Sequence, residues 1–213
     1  MSDERDEKAM NEDLQTKTIL NPIVSPIIQH QVARYQYDED YSKELEICKK
    51  ERYQFFKENH VETTYERWIL YRKEFEGMYN FIQKCLDDYT VNALNTTQFR
   101  LIVTKSWVGR QYEGQGVDPH RHNSVINGCL YFTIPDKSTP IIFNTVNSLN
   151  QIDEHSLGVK SGELVLFPNA LEHFVPPNTS KETRYVLAFN TAEYEDVEDA
   201  IQINSKYNKQ ISK

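Results

Sequence analysis

Two histidines stand one residue apart in residues 117–130, VDPHRHNSVINGCL, and a third lies in residues 162–178, GELVLFPNALEHFVPPN. They are His120, His122 and His173. Side chains two apart on an extended backbone point to the same side, so the first two imidazoles can reach one point in space. His173 follows a strand-like run and a proline-containing turn. Imidazole is the commonest protein ligand for iron, zinc, copper and nickel. Two histidines on one rim and a third from a later strand make the donor set of a mononuclear metal site in a β-barrel. An isolated H-x-H is usually two packed or exposed side chains. Here the whole chain holds six histidines, and three of them sit at strand ends beside turn residues, Asp118-Pro119 and Phe167-Pro168.

A fourth residue belongs to the same chemistry. Arg184 follows His173 by eleven residues and heads an apolar run, Tyr185-Val186-Leu187-Ala188-Phe189. An arginine at the head of a buried strand must meet an anion or water. It either pairs with a local acid such as Glu182 or forks a ligand carboxylate bidentately.

The elements that must position these residues can be read in order. Residues 1–17 alternate acid and base with little to bury, which predicts a disordered acidic tail. Residues 18–32, with Pro22 and Pro26 among isoleucines and valines, read as an edge strand that a second copy of the chain could pair with to form a homo-oligomer. A rough apolar stripe predicts a helix over 41–58, and His60 after it reads as exposed. Thr63-Thr64-Tyr65-Glu66 fits a capping box, and an aromatic stripe from Tyr65 to Cys85 predicts a second helix over 63–88. From Gln98 the period changes to that of strands, with turns every eight to twelve residues. Gly128 inside one of them marks a bulge or a close backbone approach. Residues 109–117, three glycines in a short loop, read as an entrance or lid. Trp107 and Tyr112 read either as lining for the substrate side or as packing. Residues 147–159, with His155, read as a connection, and 193–213 as a polar tail with a short helix near its start. The fold class is therefore mainly β, a barrel or sandwich braced by two helices on its N-terminal side, with one domain over 18–192.

Composition narrows the function classes. No apolar run is long enough to span a bilayer, and the acidic start is unlike a signal peptide, which predicts a cytoplasmic protein without a membrane partner. A net charge of −8 disfavours non-specific nucleic-acid binding. Cys48, Cys85 and Cys129 show neither a disulfide framework nor a zinc ribbon. There is no phosphate-cradling glycine motif and no serine nucleophile elbow, so an enzyme built on this chain works through a metal.

From Trp107 to Asn190 the chain resembles the double-stranded β-helix core of the iron(II)/2-oxoglutarate-dependent oxygenase superfamily, in the form common in phages and bacteria. The resemblance rests on Trp107, His120-Arg121-His122-Asn123-Ser124, and Asn127-Gly128-Cys129-Leu130-Tyr131-Phe132. It continues through the Gly162 and Pro168 of the GELVLFP run, His173-Phe174-Val175, and the Arg184-headed strand that ends at Asn190. It implies a jelly-roll, cupin-like barrel with Fe(II) held by His120, His122 and His173. Arg184 would pair with the distal carboxylate of the cosubstrate 2-oxoglutarate, with Tyr131 as its second partner. O2 would be the oxidant, and a protein side chain such as proline, or a small molecule, the substrate. The superfamily's usual triad is two histidines and a carboxylate, whereas His122 takes the middle place here. Asp118 is the alternative carboxylate, although Pro119 intervenes. A cupin that does not use 2-oxoglutarate is the rival reading, and a non-enzymatic binding protein on the same barrel is a third. Arg184 discriminates, because only the oxygenase needs that anion anchor.

Overall fold

A period of two runs through the long strands and sorts their side chains onto two faces, one toward a helical layer and one toward a barrel interior. The structure, a computed structural model, describes residues 30–57, 60–135 and 140–194. The strands are β1 (Ala33–Gln36), β2 (Tyr53–Phe56), β3 (Val61–Thr64), β4 (Arg100–Gln111), β5 (Val117–His120) and β6 (Ile126–Thr133). They continue as β7 (Ile141–Val146), β8 (Ile152–Leu157), β9 (Glu163–Pro168), β10 (Glu172–Val175) and β11 (Arg184–Tyr194). A seven-stranded sheet runs in the order β1-β9-β6-β11-β4-β3-β2, and a four-stranded sheet in the order β5-β10-β7-β8. From β4 onward the chain passes back and forth between the two sheets. This is the antiparallel double-stranded β-helix that the sequence predicts.

Alternation on β11 shows how the layers arise. Leu187 and Phe189 join the large core under the helices, together with Leu130 and Phe132 of β6 and Leu164 and Leu166 of β9. Val186 of β11, Tyr131 of β6, and Val165 and Phe167 of β9 turn the other way, into a second core with Ile141 and Phe143 of β7. Burying each such side chain is worth about 1.5–3 kcal/mol. The barrel interior is therefore bounded by a wall shared with a well-packed core.

Gly128 is the close approach expected of a glycine inside a strand. It lies opposite Phe189 in the β6–β11 register, and a Cβ there would overlap the Phe189 ring. Gly128→Ala should therefore destabilise the fold by about 1–3 kcal/mol, the usual cost of overpacking a core. Its denaturation midpoint checks this, and Gly128→Ala combined with Phe189→Leu should recover much of the loss.

Two bracing helices are present, but both are shorter than the sequence suggests. The first, α1, spans Ser42–Lys50 rather than 41–58. Tyr53 and Phe56, which mimic a helical stripe, lie instead in β2, paired with β3 as a hairpin on the sheet edge. The β-branched run Val61, Thr63 and Thr64 favours that outcome. The second, α2, spans Glu76–Asp88 rather than 63–88, preceded by two 3-10 turns at Ile69–Tyr71 and Lys73–Phe75. Thr64 does not cap a helix. Its hydroxyl accepts from the Val108 amide at 3.1 Å and donates to the Glu66 carbonyl at 2.9 Å, tying β3 to β4. Glu66 does satisfy an orphan amide, that of Trp68 at 2.8 Å, at the start of the first 3-10 turn. Met78, Ile82 and Leu86 of α2 are fully buried against the large sheet.

The predicted connection at 147–159 is in part a strand. β8 pairs with β7 along its length, with His155 opposite Phe143. Its side chains are exposed along almost the whole strand, so no apolar alternation marks it in the sequence. The predicted acidic tail, residues 18–29 of the predicted edge strand and the C-terminal helix lie outside the described residues, and residues 30–32 precede the strand that begins at Ala33. Among the described residues no helix is long and apolar enough to cross a membrane.

Candidate active site

Strand pairing brings the three histidines together. His173 of β10 stands opposite His120 of β5 in the four-stranded sheet, and His122 follows in the turn beyond β5. The ring centroids of His120 and His173 are 4.4 Å apart, those of His120 and His122 4.8 Å, and those of His122 and His173 5.3 Å. One nitrogen from each ring lies within 4.8 Å of the others. Phe167 meets the His173 ring edge-on at 4.7 Å, and Phe143 stands 6.2 Å from it.

The backbone sets which nitrogen faces inward. Nδ1 of His120 is 2.8 Å from the Asp118 carbonyl, and Nδ1 of His173 is 3.2 Å from the Leu171 carbonyl. A carbonyl only accepts, so each Nδ1 carries the proton and each Nε2 keeps its lone pair for the centre of the cluster. Such carbonyl partners fix both tautomer and ring orientation in metal sites. Desolvation keeps all three rings neutral. Burial lowers the pKa of His120, pushes His122 down to about 4 with help from His120, and pushes His173 down to about 3 with help from both neighbours. Three neutral imidazoles with converging lone pairs fit a divalent transition-metal ion.

The same shifts predict a pH dependence of the metal-free protein. The unfolded histidines titrate near 6.5, whereas in the fold His122 and His173 lie well below it and His120 is also lowered. Between those values the unfolded chain takes up protons that the folded chain refuses, so stability is full above about pH 6.5 and falls as pH drops toward 4. Urea midpoints of chelator-treated protein should decline from pH 7.5 to pH 5. His122→Asn should shallow that decline.

Asp118 does not act as the carboxylate alternative. Its side chain turns outward and its Oδ2 lies 2.6 Å from Nδ1 of His60, both residues being exposed. The cluster is therefore all nitrogen.

Arg184 is of the opposite character, a guanidinium at 1% exposure. Its guanidinium carbon lies 5.1 Å from the centre of the Tyr131 ring, and the Tyr131 oxygen accepts a hydrogen bond from it. Burial lowers the Arg184 pKa, opposed by Tyr131 and Cys129, and burial raises that of the Tyr131 phenol. Glu182 is exposed at the loop, whereas Arg184 is turned inward and buried. Arg184, Tyr131 and the three histidines line one cavity of about 100 Å3, walled also by Gln111, Thr63 and apolar side chains such as Val117, Ile141, Val175 and Val186.

Trp107 belongs to this cavity too, its ring 5.7 Å from that of His122. Tyr112 does not. It is 40% exposed and lies over Arg110 at 5.2 Å. The predicted lid is also smaller than expected, because Gly109, Arg110 and Gln111 end β4. The remaining tip is pinned by Asn178, a residue the sequence reading passed over. The Asn178 backbone exchanges 2.8 Å hydrogen bonds with Gly114 and Gln115, and its Nδ2 donates to the carbonyls of Gln111 and Glu182. Its place just after Pro176-Pro177, where a short amide closes turns, was the available signal. At Gly116 a Cβ would lie 2.6 Å from the Val175 carbonyl, so a glycine is required there.

Comparison with known proteins agrees with this geometry. Residues 105–190 match the family model described as "Putative 2OG-Fe(II) oxygenase", nearly the same span as the motif run from Trp107 to Asn190. No curated protein sequence matches the chain. A prolyl-4-hydroxylase from Pseudomonas putida is similar in structure, with a TM-score of 0.55 and 12% identity over 85% of this chain and 97% of that one. The viral collagen prolyl hydroxylase vCPH from Paramecium Bursaria Chlorella virus-1, solved with 2-oxoglutarate, gives a TM-score of 0.51 and 10% identity over 75% and 94%. The epimerase SnoN, solved with Fe3+, alpha ketoglutarate and nogalamycin RO, gives 0.58 and 9% over 75% and 78%. At these identities the solved structures speak for the fold alone, and the family model matches residues 105–190.

Proposed function

We propose that the chain, whose residues 105–190 match the 2OG-Fe(II) oxygenase model, is such an oxygenase, that His120, His122 and His173 hold the iron and that Arg184 and Tyr131 hold the cosubstrate. The activity is oxidation of a substrate, with Fe(II), 2-oxoglutarate and O2 as cofactor and cosubstrates. One observation carries the assignment of residues: three converging, neutral imidazoles share a small apolar cavity with a deeply buried arginine.

When bound, the iron with 2-oxoglutarate and O2 supplies two-electron oxidation of a substrate bond. The chain supplies the positioning. The carbonyls of Asp118 and Leu171 hold the His120 and His173 rings with Nε2 inward. A set of three protein donors leaves positions open for other ligands. Arg184 offers a planar fork to a carboxylate, and Tyr131, held by that fork, can donate its own hydroxyl proton to the same anion. The apolar wall keeps bulk water from competing for these contacts. Trp107, beside His122, forms the side along which the substrate approaches. A peptide or other protein side chain is the substrate class we favour, since the fold is shared with prolyl hydroxylases. With His122 in place of a carboxylate, the loaded centre is one unit more positive than the usual triad would make it.

Anaerobic titration of the metal-free protein with Fe(II) and then 2-oxoglutarate tests the assignment. A visible charge-transfer band that requires both components is the expected result. Tight metal binding with no band would favour a cupin that does not use 2-oxoglutarate.

A further inference from the structure

Gln111 is 4% exposed and lines the cavity that holds Arg184 and the three histidines. Among the described residues its Nε2 donates to no acceptor. Buried amide groups are paired in the large majority of cases, so an orphaned donor on a cavity wall points to a ligand. Gln83, Asn127, Asn144 and Asn190 also carry an orphaned side-chain atom, but none of these four lines this cavity.

The register sets what stands beside that donor. Gln111, the last residue of β4, stands directly opposite Arg184, the first of β11. Directly opposed residues of an antiparallel pair project from the same face, with Cβ atoms about 4.5–5.5 Å apart. On the other flank β6 sets Tyr131 against Val186, the next inward-facing position of β11. Amide, guanidinium and phenol thus form a row across three adjacent strands. Asn178 holds the end of this row in place through the Gln111 carbonyl at 3.2 Å.

We propose that Nε2 of Gln111 donates to the same carboxylate that Arg184 grips. It is a specificity-determining residue for a 2-oxo dicarboxylic acid. This inference rests on the reading of Arg184 as the cosubstrate anchor. A neutral amide suits the place, because it adds a hydrogen bond to the anion without burying a second cation beside the first. The three donors together discriminate for a distal carboxylate, since a ligand lacking it would leave buried donors unmet.

The test uses the full chain loaded anaerobically with Fe(II). Gln111→Met keeps the length of the side chain and removes the amide, and Gln111→Leu serves as a second variant should the first not fold. Binding of 2-oxoglutarate and of 2-oxopentanoate, which lacks the distal carboxylate, is measured by calorimetry beside Fe(II) affinity. The expected result is about a tenfold to hundredfold loss for 2-oxoglutarate, as for a hydrogen bond to a charged group. Binding of 2-oxopentanoate and of Fe(II) should be unchanged. Wild-type affinity for 2-oxoglutarate in the variant would overturn the role of Gln111 while leaving Arg184 as anchor. Equal losses for both ligands would overturn it as well, by making the effect structural. Failure of the unaltered protein to bind 2-oxoglutarate would instead remove the reading on which the inference rests.

Discussion

His173→Ala should lower the affinity for Fe(II) by more than a hundredfold. Loss of an outer partner alone costs about 10–100-fold, and a direct ligand should exceed that. His173 is the choice because its ring is 4% exposed and wedged against Phe167 and Phe143, so no water-borne substitute reaches its place easily. The variant also leaves a cavity in that wall, which should lower stability by about 1–3 kcal/mol. Metal binding and folding therefore need separate readouts, equilibrium dialysis for the first and urea midpoints for the second. His122→Asp is the informative companion. It restores the usual mix of two histidines and a carboxylate, and it should retain metal while making the centre one unit less positive. Retained iron with a weaker 2-oxoglutarate complex would show that the neutral third donor favours the dianionic cosubstrate.

Arg184→Ala should leave Fe(II) affinity unchanged and weaken 2-oxoglutarate by at least about 30-fold. Truncating one partner of a buried, hydrogen-bonded charge pair costs about 2–5 kcal/mol. The metal should not notice, because its three imidazoles come from β5, the turn after it and β10, whereas Arg184 heads β11 in the other sheet. Folding should not suffer in proportion either. A buried cation is costly to desolvate, and its removal offsets part of the packing that the truncation loses. Arg184→Lys should recover little, since an ammonium lacks the planar fork. Calorimetry of the iron-loaded variants decides this. Unchanged 2-oxoglutarate affinity in Arg184→Ala would remove the cosubstrate assignment while leaving the metal cluster intact.

The site was more legible in the sequence than its scaffold was. His120, His122 and His173 announce themselves because histidine is scarce in this chain and turn residues flank each position. Arg184 does so because a cation interrupts an apolar strand. Helix boundaries were harder, because Tyr53 and Phe56 sit three apart and satisfy a helical period as well as a strand's. What settles β2 is its pairing with β3, a non-local contact that no local pattern reports. β8 was missed for the opposite reason: its exposed side chains leave no alternation to read. Gln111 carries no signal at all in sequence, since its meaning comes from the register that sets it opposite Arg184.

The position of Trp107, 5.7 Å from His122, gives the protein an optical reporter of its own centre. Only one other tryptophan, Trp68, contributes to the emission. A redox-active or coloured ion at the three imidazoles would drain the excited indole at that range, so filling the site should dim the fluorescence stepwise with stoichiometry. Zinc, which lacks such electronic states, should bind nearly silently. Trp107→Phe should erase the response while Trp68 keeps its own glow, turning occupancy into something that can be followed in real time without a label.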